Sequence, residues 1–286
     1  MSDILVVNEI YLSLQGESTF AGLPCIFVRL TGCDLRCSYC DTAYAFTEGK
    51  KISLADVIKE IGRLAAPFEK SPGVGAENDS KPRISASLQA AGQHQNWPVS
   101  ADQKTYEQTV PYSGAIGRLP LIELTGGEPL LQSNSIPLMK ACCDGGFTVL
   151  LETSGAHDLT PVDPRVHCIM DLKCPSSGEV QRNRWENIPL LKRIDEIKFV
   201  IGSVEDYEWA KDRISEHNLV SVCPLLFSWV SPLVAAQHHK TLKSIPAGQT
   251  PISRCELAER IVADALPVRF QIQIHKVIWS PEARGV

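Results

Sequence analysis

Residues 26–42 read IFVRLTGCDLRCSYCDT, an apolar, β-branched run from Ile26 to Leu30 that breaks at Thr31-Gly32 into a loop carrying Cys33, Cys37 and Cys40. A short apolar run bounded by a glycine reads as a buried strand. Three thiols within eight residues read as ligands. Such a loop can curl round one cubane and give a thiolate to three of its irons, with Gly32 allowing close backbone approach. The fourth iron then stays open, and the amino and carboxylate groups of a methionine moiety can chelate it. Zinc is the competing occupant, but a structural zinc site wants four closed ligands, and no second CxxC pair is present. The spacing therefore favours a [4Fe-4S] cluster over zinc.

Outward from this loop the same pattern repeats. Leu121–Leu124, Thr148–Leu151, Cys168–Asp171, Glu196–Ile201, Leu219–Leu226 and Arg269–Ile274 also read as strands, with helical patterns between them. The clearest helix starts at Ser53, an N-cap with Asp56 three residues on, and carries Leu54, Val57, Ile58, Ile61 and Leu64 on one face. Asp206–Glu216 and Cys255–Ala265 read similarly. Alternation of this kind means parallel strands joined by helical crossovers. Nearly every strand runs into a polar motif: TGCDLRC at 31–37, TGGEP at 125–129, ETSG at 152–155, DLKCP at 171–175, SWVSP at 228–232 and IHK at 274–276. Chemistry collected from many strand ends suits a barrel mouth better than the single switch point of an open sheet. The expected fold is a single α/β domain over 1–286, a partial (β/α) barrel. Residues 67–118, rich in Gly, Pro, Ser, Asn and Gln, break the rhythm and read as a loop-rich insertion with Trp97, Tyr106 and Tyr112 as its large anchors.

The chain has 286 residues, and its formal net charge of -5 comes without a run of Lys or Arg, which argues against a nucleic-acid partner. No apolar stretch approaches the ~20 residues of a membrane span, and the first residues carry acids where a signal peptide would need bases. A cytoplasmic protein with no membrane partner is expected. Ten cysteines in a reducing compartment point to metal or redox chemistry where they are grouped. Seven are scattered; Cys174, just past a strand end, is the one that could face the site.

CxxxCxxC followed by Asp41-Thr42, with TGGEP downstream, resembles the radical S-adenosylmethionine superfamily. EIYLSLQGE at 9–17, FVRLTGC at 27–33 and the closing QIHK at 273–276 are similar to the 7-carboxy-7-deazaguanine synthase family. The resemblance implies the partial barrel of the radical S-adenosylmethionine type. It also implies contraction of 6-carboxy-5,6,7,8-tetrahydropterin to 7-carboxy-7-deazaguanine with loss of ammonia, as a step of queuosine-type deazapurine biosynthesis. Its cofactors would be the [4Fe-4S] cluster, S-adenosyl-L-methionine and Mg2+, its electron donor a protein such as a flavodoxin or ferredoxin, and its assembly a homodimer. By the same resemblance Arg29 would clamp the substrate carboxylate, a task suited to a guanidinium fork. Leu14, Gln15, Gly16 and Glu17 would meet the pterin edge, Thr125 would face the substrate, and His275, closing the last strand, would reach it as hydrogen-bond partner or proton carrier. Thr42 would ligate Mg2+. Tyr39, Cys40 and Asp41 would border the adenine, Gly127 and Glu128 would receive the cofactor's amino end, and Ser154 and Lys173 its ribose and carboxylate.

Overall fold

The chain is described here from a computed structural model, which covers residues 3–69 and 118–286. Nine strands form one sheet, which does not close, in the order β3-β1-β2-β4-β5-β6-β7-β8-β9. The strands are β1 (Ile4–Leu14), β2 (Pro24–Leu30), β3 (Lys50–Ser53), β4 (Leu121–Gly126), β5 (Val149–Thr153), β6 (His167–Leu172), β7 (Glu196–Ile201), β8 (Leu225–Trp229) and β9 (Arg269–Gln271). From β2 through β9 all neighbours are parallel, while β1 lies antiparallel to both β2 and β3. This is the expected partial barrel, extended by the two antiparallel strands β1 and β3.

The helices are α1 (Leu54–Glu69), α2 (Ser135–Asp144), α3 (Val204–Glu216), α4 (Arg254–Ala263) and the short α5 (His275–Ile278). At the start of α1 the Ser53 hydroxyl accepts from Asp56 N at 3.1 Å and donates to the Asp56 carboxylate at 2.6 Å, so the expected cap forms. Val57, Ile61 and Ala65 are buried, but Ile58, expected on that face, is 40% exposed. The helix takes in Pro67–Glu69, the first residues of the expected insertion; residues 70–117, with Trp97, Tyr106 and Tyr112, lie outside the described residues.

Not every crossover is helical. Residues 154–166 and 173–195 pass between strands as turns and short 3-10 segments, because Gly155, Pro161, Pro164, Pro175, Gly178 and Pro189 interrupt any helical run. Two strand readings also shift. Leu219–Ser221 is a 3-10 turn, so β8 starts at Leu225, and β9 ends at Gln271, so His275 opens α5 instead of closing a strand.

Outward-facing residues of the sheet pack under the helices in two apolar cores, Val28, Leu124 and Leu151 beneath α1 and α2, and Phe199 and Phe227 against α3, whose Tyr207 joins them, and α4. Inside the curve the pattern changes along the strands. The N-terminal ends contribute an apolar floor of Cys25, Phe27, Leu121, Leu150 and Ile169. Two residues on, the same inward positions carry Arg29, Glu123, Glu152, Asp171 and Lys198. A segment outside the sheet, Gln15–Phe20, crosses this interior: Thr19 N donates to Glu196 on β7 at 3.0 Å, Gln271 on β9 donates to Ser18 O at 2.9 Å, and Ile274 N donates to Gly16 O at 3.1 Å.

Candidate active site

The C-terminal ends of the strands open on a cavity of about 470 Å3, to which the cysteine loop, the TGG and ETS turns, Asp171-Leu172-Lys173, Ser228–Ser231 and His275 all contribute. The cysteine loop is held from both sides. Gly127 N donates to Leu30 O at 3.0 Å and Glu128 N to Gly32 O at 2.8 Å. A Cβ on Gly127 would lie 2.0 Å from Gly32 O, and one on Gly126, whose φ is +134°, would lie 2.2 Å from Leu30 O. The two glycines are thus required first for contact between chain segments, a reason different from the cofactor approach expected of them. On the far side Ser38 N donates to Ser177 O at 3.0 Å and Arg36 N to the Glu179 carboxylate at 2.6 Å.

Cys33, Cys37 and Cys40 line the cavity, and all ten cysteines are free thiols. Burial pushes Cys33 and Cys37 up to about 11, and it raises Cys40 as well. Among the described residues no three His, Cys, Asp or Glu side chains converge on one ion. A cubane asks for less convergence, because each thiolate binds a different iron. The donor set fits such a group, and so do two buried atoms without a protein partner beside it, Tyr39 Oη and Asp171 Oδ1. Lys173 Nζ pairs with the other Asp171 oxygen at 2.6 Å and keeps an ammonium on the same wall. Thr42 lines the cavity, and its side chain makes no cap bond to the 3-10 turn that follows.

Of the expected cofactor contacts, Glu128 is placed differently, whereas Asp41 lines the cavity. Glu128 is fully buried and does not line the cavity. Its carboxylate accepts from Leu130 N, Thr153 Oγ1, Ser154 N and Ser154 Oγ at 2.5–3.1 Å, so it braces the ETS turn from behind. Asp41 is tied to Lys276 at 2.5 Å and to Gln273 at 3.2 Å, which joins the cysteine loop to the segment after β9. Cys174 is fully buried and is not a lining residue, so it does not face the site.

A further part of the lining comes from β1, β2 and β4. Arg29 stands beside Thr125 across the parallel β2–β4 pair. Its Nε meets Glu9 at 2.8 Å and its Nη2 donates to Tyr11 at 3.0 Å, while Tyr44 donates to the same Glu9 oxygen at 2.9 Å. Nη1 has no protein partner among the described residues. Gln15 is nearly inaccessible; its amide donates to Glu123 and accepts from Glu17 N at 3.0 Å, so it orders the Gln-Gly-Glu turn from within. His275 packs on Gly16, where a Cβ would come 2.5 Å from Nδ1, and burial lowers its pKa against the pull of Glu17 and Asp41, so the ring is neutral.

Glu123, Glu152 and Lys198 were not among the sequence candidates. Lys198 Nζ reaches Glu17 at 3.1 Å and contacts Glu152 on its other side. Burial, with Glu152 beside it, pushes Glu123 up to about 8, and burial raises Glu152 against the pull of Lys198. Glu17 is held below the usual range, against its burial, by the charge and hydrogen bond of Lys198 and by the Gln273 amide. The available signal was a charge at the centre of an apolar strand, as in Leu121-Ile122-Glu123-Leu124 and Ile197-Lys198-Phe199.

No protein-family model matches the chain. Among curated proteins it is 36% identical to a 7-carboxy-7-deazaguanine synthase of Koribacter versatilis over 98% of this chain and 99% of that one. It is 34% identical to a protein of the same name from Chlorobaculum tepidum, covering 99% and 97%. Among solved structures, that of QueE from Escherichia coli superposes with a TM-score of 0.57 at 19% identity over 94% of both chains, a likeness of fold.

Proposed function

The chain belongs to the 7-carboxy-7-deazaguanine synthase family, and from that membership we propose that its cavity contracts 6-carboxy-5,6,7,8-tetrahydropterin to 7-carboxy-7-deazaguanine with release of ammonia, in queuosine-type biosynthesis. It is then a radical S-adenosylmethionine lyase. The observation that carries the reading is that the three thiols and Arg29 line one cavity.

Cys33, Cys37 and Cys40 would hold a [4Fe-4S] cluster, and Thr42 would ligate Mg2+. Tyr39 Oη, Asp171 Oδ1 and the Lys173 ammonium, with the backbone at Gly127 and Ser154, are the chain's groups for S-adenosyl-L-methionine. Bound together, the cluster and this cofactor would supply radical chemistry capable of hydrogen abstraction. Arg29 offers Nη1 to the substrate carboxylate, and its other two nitrogens, fixed by Glu9 and Tyr11, orient the fork. The Glu17 carboxylate accepts from the donor edge of the pterin, with Thr125 and the backbone of Leu14 and Gly16 beside it. His275, neutral and packed on Gly16, accepts or relays a proton at the substrate. A flavodoxin or ferredoxin would deliver the electron. The cytoplasm supplies the reducing setting that free thiols need, and a homodimer is the proposed assembly.

The test is anaerobic reconstitution, iron and sulfide analysis, and incubation with S-adenosylmethionine, reductant, Mg2+ and the pterin while 7-carboxy-7-deazaguanine is followed by mass spectrometry. Cluster and product together are expected. A cluster that yields only 5'-deoxyadenosine would overturn the substrate, and zinc in place of iron would overturn the chemistry.

A further inference from the structure

Glu17 lies on a segment that belongs to no strand, yet its carboxylate is fixed at both oxygens: Oε1 accepts from Gln273 Nε2 at 2.9 Å and Oε2 from Lys198 Nζ at 3.1 Å. The Lys198 side chain is only 6% exposed. It rises from the centre of β7 and bridges Glu17 to Glu152 on β5. We propose that Lys198 is a positioning residue for substrate recognition, which keeps the Glu17 carboxylate charged and aimed at the hydrogen-bond donors of the heterocycle's edge.

The charges that face this point decide the matter. Glu123 comes from β4, Glu152 from β5, Asp171 from β6 and His275 from α5. Asp171 is matched by Lys173 at 2.6 Å. Among the described residues Lys198 is therefore the ammonium left for Glu17, Glu152 and Glu123, with Glu196, two residues before it, also feeling its charge, and these buried carboxylates cannot all ionise against one cation. The direct Lys198 contacts go to Glu17 and Glu152, while Glu123 receives only the neutral amide of Gln15. Burial protonates Glu123, and the ammonium keeps Glu17 ionised. Without Lys198 the Glu17 carboxylate would keep Gln273 and a neutral His275. It would then take up a proton and lose one of the two oxygens that accept from the substrate.

A mechanical role is separable from this one. Two residues before Lys198 on the same strand, Glu196 accepts from Thr19 N at 3.0 Å and from the Thr19 hydroxyl, so it latches the same segment. Glu196 does not line the cavity. Loosening that latch removes none of the hydrogen bonds or ion pairs of Glu17.

The proposal rests on the reading that Glu17 faces the pterin, and wild-type protein tests that reading first: reconstituted enzyme must bind 6-carboxy-5,6,7,8-tetrahydropterin in anaerobic calorimetry without reductant. Failure there overturns the functional reading before any variant is made. With binding in hand, K198M is expected to weaken Kd and raise KM about tenfold or more, the worth of one charge-assisted hydrogen bond, with a smaller change in kcat. Its affinity should fall more steeply than the wild type's as the pH is lowered from 9 to 6, because Glu17 has lost the ammonium that keeps it charged, whereas in the wild type only the neighbouring Glu123 and Glu152 titrate there. K198R should restore most of the affinity, and E196Q should lower Tm while keeping Kd and its pH profile. Should K198M not fold, E17Q must bind weakly at every pH in the same range. Wild-type affinity in K198M or in E17Q overturns the proposal, and so does E196Q reproducing the K198M loss.

Discussion

At the scale of single residues, the proposed site depends on side chains whose partners among the described residues leave one atom free. Arg29 is the clearest, since two of its nitrogens are committed to Glu9 and Tyr11 and the third is available. Arg29→Ala is expected to keep iron content and uncoupled cofactor cleavage near wild type while kcat/KM for the pterin falls at least about a hundredfold, the cost of roughly two charge-assisted hydrogen bonds. Arg29→Lys should recover little, because a point charge cannot hold Glu9 and a carboxylate in one plane. Loss of iron in either variant would show that Arg29 serves the cysteine loop and not the substrate. The three cysteines were legible from their spacing, whereas Arg29 and Thr42 became candidates only through the family resemblance of the motifs that hold them. Lys198 and Glu123 were not legible, because a charge within an apolar run acquires its meaning only when the sheet curves and turns it inward.

At the scale of elements, the TGG turn and the cysteine loop are one unit. Gly127→Ala would put a methyl group 2.0 Å from Gly32 O. The contact is backbone against backbone, so relief must come from moving the loop that carries Cys33. A destabilisation of about 1–3 kcal/mol, of the size seen on overpacking, is expected, together with reduced iron per chain after reconstitution. Ser53→Ala, at the start of α1 and remote from the loop, should cost about 1 kcal/mol through loss of its cap and leave iron content unchanged. Equal iron loss in both would mean that cluster assembly merely follows global stability. Period-2 runs such as Glu196–Ile201 could be read in sequence to their ends, as their β-branched and aromatic residues are buried on both faces. β1 escaped because Asn8, Glu9 and Ser13 interrupt an 11-residue strand with a register shift between Val7 and Glu9. The helical ending at His275 escaped because Gln271, Ile272, Gln273 and Ile274 alternate as a strand would.

At the scale of the whole molecule, an apolar floor supports a charged layer, and the stability of the empty protein should record the strain between them. Glu123 is buried on the floor's edge with a carboxyl pushed up to about 8, against about 4.5 when the chain unfolds. Between those values the folded state holds a proton that the unfolded state has released, so this group's contribution to stability falls as pH rises, by at most about 1.4 kcal/mol per pH unit. His167 and His275 act in the opposite sense, their lowered pKa values costing stability only below the normal histidine range. The Glu123 effect is therefore cleanest above about pH 7, once both histidines are neutral in either state and Glu152, raised to about 7, has largely ionised in the fold as well. Apo protein should lose Tm between pH 7 and 8. Glu123→Gln, which keeps the shape and cannot ionise, should flatten that decline while leaving Tm at pH 5 nearly unchanged. Parallel declines in both proteins would mean that Glu123 ionises freely in the fold, and that the interior layer is wetter than its burial implies.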